Sequence, residues 1–225
     1  MTRILCIETS SEFCSVSLVE DNRMIGSRKI TIEKSHSEHI LLLIDTLLKE
    51  KKILINQLTA VAVSKGPGSY TGLRIGVSTA KGLCYSLDIP LLSVNSLDLM
   101  AIQVKKKHLV NKKVLLCPML DARRMEVYTK VVDYGLKNIQ KTCCKVLDNN
   151  SFASLLDNNK VYFFGNGSQK FKKILKSKNA LFIDNIFPNA SSFTDLVYKK
   201  YLNKDFEDLI NFEPSYLKDY YFKNK

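Results

Sequence analysis

The spacing of hydrophobic positions changes period several times along the chain, and each change marks an element. Residues 3–8 (RILCIE) are a short apolar run, and residues 13–19 (FCSVSLV) alternate apolar with small polar positions; both predict strands. A turn at Asp21-Asn22 leads to a third strand around 24–32, so the chain opens as a three-strand meander. Helical spacing then runs from about His36 to Lys52, with Ser35 and Glu38 placed as a capping box. Residues 58–64 (LTAVAVS) predict a strand apolar enough to be covered on both faces. A tight loop, Lys65-Gly66-Pro67-Gly68-Ser69-Tyr70, leads into a helix over about 71–87, and Pro90 precedes a short strand at 91–94.

The second half repeats the theme less regularly. Residues 99–113 predict a basic helix and hinge, 114–120 and 126–132 predict strands, and 141–146 a weaker third. Helices around 151–156 and 169–176 flank a strand at 161–164. This predicts an α/β protein of two related lobes, 1–102 and 103–225, with mixed sheets flanked by helices and the second lobe reduced. A twofold β-β-β-α-β-α repeat is the pattern of the actin, sugar-kinase and Hsp70 (ASKHA) architecture.

Composition narrows the function classes. No apolar run approaches the roughly 20 residues of a membrane helix, and Glu8 comes too early for a signal peptide's apolar region. Cysteines at 6, 14, 84, 117, 143 and 144 lack the spacing of a zinc site or disulfide framework. Cys6, Cys84 and Cys117 read as small core residues, and the expected compartment is the cytoplasm. A formal net charge of +12 invites a nucleic-acid reading, with Lys105, Lys106, Lys107, Lys112 and Lys113 as the densest patch for tRNA contact. Only six of the 34 basic residues are arginine, so a solvated lysine face competes with that reading.

Three segments carry a family resemblance. Ile4-Leu5-Cys6-Ile7-Glu8-Thr9-Ser10-Ser11 resembles the opening strand and turn shared by the TsaB and TsaD families. The run from Val63 through Lys65-Gly66-Pro67-Gly68-Ser69-Tyr70-Thr71-Gly72-Leu73-Arg74 to Gly76, continued by Ala80-Lys81-Gly82-Leu83, resembles the TsaB signature. Asp121-Ala122-Arg123-Arg124-Met125-Glu126-Val127-Tyr128 is similar to the TsaB second-lobe turn; beyond residue 130 only Gly165-Asn166-Gly167 and Pro214-Ser215-Tyr216-Leu217 are familiar. The resemblance implies an ASKHA fold and a part in forming threonylcarbamoyladenosine at the adenosine immediately 3′ of the anticodon. In that scheme TsaD transfers the group, TsaE supplies ATP hydrolysis, and TsaB is a non-catalytic dimerisation subunit that meets tRNA through the complex.

The residues themselves separate partner from enzyme. TsaD-like proteins carry a metal-binding His-x-x-x-His pair after Val-Asn; here Val94-Asn95 is followed by Ser96 and, four residues on, Met100. The first turn keeps small hydroxyls at Thr9 and Ser10, a vestigial phosphate turn. The second carries Asp121-Ala122-Arg123-Arg124 without glycine, which blocks close backbone approach to a phosphate. Arg123 is placed to salt-bridge Asp121 or Glu126 instead. His36 and His39 stand at i, i+3 rather than the zincin i, i+4, and His108 sits in the hinge. No cofactor, metal or catalytic residue is expected. The alternatives are an ATP-binding enzyme of the same fold and a metallopeptidase.

Two helices suggest a partner surface. On the first, Ile40, Leu43, Ile44 and Leu47 suffice to cover a sheet, and Leu41, Leu42 and Leu48 are surplus. On the second, Gly72, Gly76 and Ala80 recur every fourth residue, with Thr79 and Leu83 alongside. Glycine inside a helix costs roughly 1 kcal/mol against alanine, so the stripe needs a compensating contact. Packing within its own lobe is one reading. The family resemblance implies the other, in which Leu41, Leu48, Gly72, Gly76, Thr79, Ala80 and Leu83 meet a TsaD-type subunit, or a second copy when the chain is alone.

Overall fold

The computed structural model describes residues 1–31, 36–107 and 113–218, apart from the side chains of His36 and Lys107. Strands β1 (Arg3–Glu8), β2 (Phe13–Glu20) and β3 (Arg23–Thr31) form the opening meander, followed by α1 (His36–Glu50), β4 (Ala60–Gly66), α2 (Tyr70–Leu87), β5 (Leu91–Asn95) and α3 (Ser96–Lys107). The second half runs β6 (Leu115–Asp121), β7 (Glu126–Val132), β8 (Asn138–Val146), α4 (Ala153–Asn158), β9 (Val161–Phe164), α5 (Ser168–Ile174), β10 (Ala180–Ile183) and α6 (Thr194–Leu202). Ser35, half of the expected capping box, lies outside the described residues.

The two sheets are topological copies. Strand order is β3-β2-β1-β4-β5 in the first and β8-β7-β6-β9-β10 in the second. In each, a parallel strand (β4 or β9) pairs with the first strand of its meander. The second lobe is therefore as regular in topology as the first. Its reduction lies in helix length: 6 residues in α4 and 7 in α5, against 15 in α1 and 18 in α2.

Both faces of the first sheet are covered. Leu5, Ile7, Val61 and Val63 point to the side occupied by α1 and α2. Ile4, Cys6, Ala60, Ala62 and Val94 point to the other side, against Phe193 and Val197. The alternation of strand side chains produces this division, and the uninterrupted apolar run of β4 follows from being sandwiched. Helix α3 lies between the sheets, with Leu97, Met100, Ala101 and Val104 packed towards the second and Leu99 towards the first. In the second lobe Phe152, Phe163 and Phe171 pack edge to face, with centroids 5.1–5.7 Å apart.

The last stretch of chain corrects the expected division into lobes. After Ile186, which still packs with the second lobe, the chain returns to the first sheet. Ala190 donates its N–H to Ser15 Oγ at 3.0 Å and accepts from Ser17 Oγ at 2.7 Å, and α6 lies over β5. The boundary at 102/103 also falls within α3, which serves both sheets. Strand β10 (ALFI) and helix α6 were missed because a strand of 4 residues and a mixed-polarity helix of 9 residues give too little periodicity. Helix α1 ends at Glu50 rather than Lys52 because Lys52 adopts a left-handed conformation, φ 54°.

Two glycines of α2 should respond oppositely to the same change. A Cβ on Gly76 would run into Thr9 Oγ1, whereas one on Gly82 would meet nothing within 4 Å. In urea denaturation, Gly76→Ala should destabilise the protein by about 1–3 kcal/mol through overpacking. Gly82→Ala should stabilise it by about 0.5–1 kcal/mol through helix propensity alone.

Candidate partner face and inter-lobe cleft

The turn after β1 is built onto the start of α2. Thr9 is fully buried, and its hydroxyl donates to the Gly72 carbonyl at 2.7 Å. Ser69 caps the helix by accepting from Gly72 N–H at 3.2 Å, and its own N–H donates to Ser10 O at 2.7 Å. Side chains at Gly68 and Gly72 would collide with the Ser10 and Thr9 carbonyl oxygens. Absence of a Cβ is what lets turn and helix approach this closely.

This geometry revises two expectations. Gly72, Gly76 and Ala80 are buried within the chain's own lobe, as is Leu48 at 5% exposure, so these four do not line an outer surface. Thr9 is likewise fully buried, its hydroxyl committed to α2 rather than turned to the cleft, whereas Ser10, though only 2% exposed, still lines the cleft between the two turns. Of the expected surface set, Leu41 stands 60% exposed, while Thr79 and Leu83 are half-buried on the outer side of α2. Leu42 joins Leu41 at 61%. Between the helices runs a groove of about 320 Å³ floored by Ile40, Leu41 and Ile75 and edged by Arg74, Ser78 and Thr79.

Glu8, at the end of β1, is fully buried. One carboxylate oxygen accepts from Ser10 N–H at 2.5 Å; the other, Oε2, has no hydrogen-bond partner among the described residues, and neither do Ser10 Oγ and Ser64 Oγ. Desolvation pushes the carboxyl above its ordinary value of 4.5, against the opposing pull of the nearby Ser10 and Ser64 hydroxyls and of the Ser10 and Thr9 N–H groups.

The second turn is filled by side chains. Arg123 and Arg124 both adopt left-handed conformations, φ 70° and 46°. Asp121 accepts from the Arg123 backbone N–H at 2.7 Å, and its ion pair is with Lys170, also at 2.7 Å. Glu126 pairs with Lys218. The expected Arg123 salt bridge to either carboxylate is thus replaced by lysines that sequence reading did not place there. Between the two turns lies a cleft of about 600 Å³, with Ser11, Ser69, Asp121, Arg123, Asn166 and Lys218 on its walls.

The remaining candidates are dispersed. Lys106 pairs with Asp195 at 2.8 Å, Lys105 sits 5.2 Å over the Tyr134 ring, and Lys113 has a partner of its own. Lys112, His108 and the side chains of Lys107 and His36 lie outside the described residues. Ser96 and Met100, at the positions of the TsaD-type histidine pair, are both fully buried. Among the described residues no three His, Cys, Asp or Glu side chains gather as a metal site, and no helix is long and apolar enough to cross a membrane.

One cluster on this face was not foreseen. The Arg74 guanidinium lies 4.1 Å over the Tyr70 ring and hydrogen-bonds the hydroxyls of Tyr70 and Tyr216, the latter at 3.2 Å from Nε. Tyr70 and Arg74 one turn apart are visible in the sequence. Tyr216, 142 residues away from Arg74, is brought in only by the fold.

Comparison with known proteins is consistent with this architecture. Residues 30–223 match the family model of TsaD, tRNA N6-adenosine threonylcarbamoyltransferase. The Buchnera aphidicola (subsp. Baizongia pistaciae) tRNA threonylcarbamoyladenosine biosynthesis protein TsaB is 30% identical over 96% of this chain and 98% of its own. The chain belongs to the TsaB family. The Haemophilus influenzae TsaB is 28% identical over 96% of this chain and 93% of its own. A solved Pseudomonas aeruginosa structure, described as similar to the peptidase YeaZ, superposes with a TM-score of 0.85 at 22% identity over 97% of this chain and 100% of its own, a likeness of fold.

For this TsaB-family chain, burial of Glu8 sets a pH signature. A folded-state pKa raised above 4.5 means the group's contribution is fully present below that value and is lost as pH rises through the raised one. Glu8→Gln should therefore gain stability relative to wild type as pH increases, levelling off once wild-type Glu8 ionises. Chemical denaturation of both proteins between about pH 4 and about pH 8 measures the difference.

Proposed function

We propose that this chain takes part in forming threonylcarbamoyladenosine on tRNA as a non-catalytic subunit that holds a TsaD-type transferase against the outer face of α1 and α2. The observation that carries the reading is the state of α1. Ile40, Leu43, Ile44, Leu47 and Leu48 are buried against the chain's own sheet, and Leu41 and Leu42 remain 60% and 61% exposed. Two adjacent, solvent-facing leucines beside an apolar-floored groove are a surface that association would bury.

The names of the TsaB relatives support the pathway. The filled second turn supports a supporting rather than a catalytic role, because side-chain ion pairs occupy the ground where backbone N–H groups would have to meet a phosphate. In the same reading a TsaE-type ATPase joins the complex, tRNA is met through the assembly, and two copies use the α1/α2 face when the transferase is missing.

Size-exclusion chromatography with light scattering, using the TsaD-type subunit from the same cell, tests the assignment. The mixture should elute as one complex, and Leu41→Asp should weaken it at least about tenfold while leaving the unfolding transition in place. Gly76 and Ala80 are unsuitable probes, since changing them disturbs the lobe itself. Separate elution of the two wild-type proteins, with and without nucleotide and the ATPase, would overturn the reading.

A further inference from the structure

The segment after α6 is a strap that crosses the first lobe. Glu207 donates its N–H to Leu91 O at 2.9 Å at the free edge of β5, and its carboxylate takes the Ser93 hydroxyl and lies 3.8 Å from Lys65 Nζ. Lys81 of α2 then holds the carbonyls of Ile210 and Phe212 at 3.0 and 3.1 Å, and Phe212, 8% exposed, enters the core beneath. Ser215 N–H donates to Lys65 O at 2.7 Å. A segment fixed at this many points has little freedom in its next residue, Tyr216.

Tyr216 ends on α2. Its ring lies 4.8 Å from that of Tyr70, and its hydroxyl accepts from Arg74 Nε. Arg74 forms the rim of the α1/α2 groove, and its hydrogen-bonding partners are two neutral phenols. Glu213, on the strap, is the acidic group nearest in effect, yet Arg74 forms no ion pair among the described residues. The guanidinium is thus held in place by uncharged groups, with no carboxylate in ion-pair contact among the described residues, at the mouth of an apolar groove. Such a site suits a carboxylate beside a hydrophobic side chain.

We propose that the carboxy-terminal strap belongs to the partner-binding surface: through Tyr216 it presets Arg74 to pair with a carboxylate of the transferase subunit whose neighbouring apolar side chain enters the α1/α2 groove. This rests on the proposed use of that face. It adds the chemistry of the contacting segment, an acidic residue next to a hydrophobic one, and gives a far-off stretch of chain a part in affinity. Tyr216 acts through Arg74 and is a positioning residue.

The test is isothermal titration of the TsaD-type subunit into wild type, Arg74→Gln, Tyr216→Ala, Tyr216→Phe, the Arg74→Gln/Tyr216→Ala double variant and Leu41→Asp, with circular dichroism to confirm folding. Arg74→Gln should weaken binding about ten- to a hundredfold, the range for losing a charge-assisted hydrogen bond, and flatten its salt dependence. Tyr216→Ala should weaken it less, Tyr216→Phe least, and the double variant no more than Arg74→Gln alone, because the tyrosine works only through the arginine. Wild-type affinity in Arg74→Gln and Tyr216→Ala, with binding lost in Leu41→Asp, would overturn the strap proposal and leave the face intact. Wild-type affinity in Leu41→Asp as well would remove the face and the strap proposal together. A double variant additive in its two losses would show that Tyr216 does not act through Arg74.

Discussion

The close approach of the β1–β2 turn to α2 is the contact from which the rest of the first lobe follows. Thr9 hydrogen-bonds the helix, and Gly68, Gly72 and Gly76 present no side chains to hold it away. Had any of the three carried a Cβ, the turn would have to rise from the helix and the polar cluster around Glu8 would open to water. Burying a carboxyl is costly, so the closeness of packing here sustains the raised pKa of Glu8 as well as a shape. It also fixes orientation: once the small residues face inward, Arg74, Ser78 and Thr79 face outward beside α1. The glycine stripe shapes the outer surface from behind.

The second lobe repeats this arrangement with different chemistry. Gly66, the last residue of β4, and Gly165, just after β9, hold similar places with φ of 105° and 97°, and a Cβ on Gly165 would run into Met119 O. Gly68 and Gly167 follow at the same interval, Gly68 against Ser10 and Gly167 against the Val127 side chain and the backbone at the end of β6. The loops are kept; the turns facing them diverge. One has small hydroxyl residues folded into the lobe, and the other has Asp121, Arg123 and Arg124 with Lys170 drawn across. Two copies of one topology therefore close the space between them by unlike means, and backbone groups are replaced by side-chain ion pairs at the cleft.

Strands and helices of the first hundred residues were legible because each is long enough to show its period and is bounded by glycine, proline or a turn pair. The direction of the glycine stripe was not. Small residues at every fourth position permit close approach by anything, and only the Thr9 contact decides that the neighbour is a turn of the same lobe. Leu41 and Leu48 illustrate the same limit: both were surplus in the pattern, yet one is 60% and the other 5% exposed. A helical wheel gives angles without saying how wide a face the sheet will cover. Lys170, Lys218 and Tyr216 were invisible for a further reason, since their partners at 121, 126 and 74 lie far off in sequence.

Those distant partners also change what the lysine excess means. A net charge of +12 read from composition treats every lysine as surface field. In the fold, Lys65, Lys106, Lys130, Lys170 and Lys218 each face a carboxylate, and four of these five pairs join segments more than forty residues apart. Such lysines hold elements together and are poorly placed to bind phosphates in addition, because each would first have to leave its carboxylate. Arg74 is the contrasting case, a cation held by aromatic rings and hydroxyls. The charge available for recognition is therefore set less by how many basic residues the chain has than by what each is already paired with.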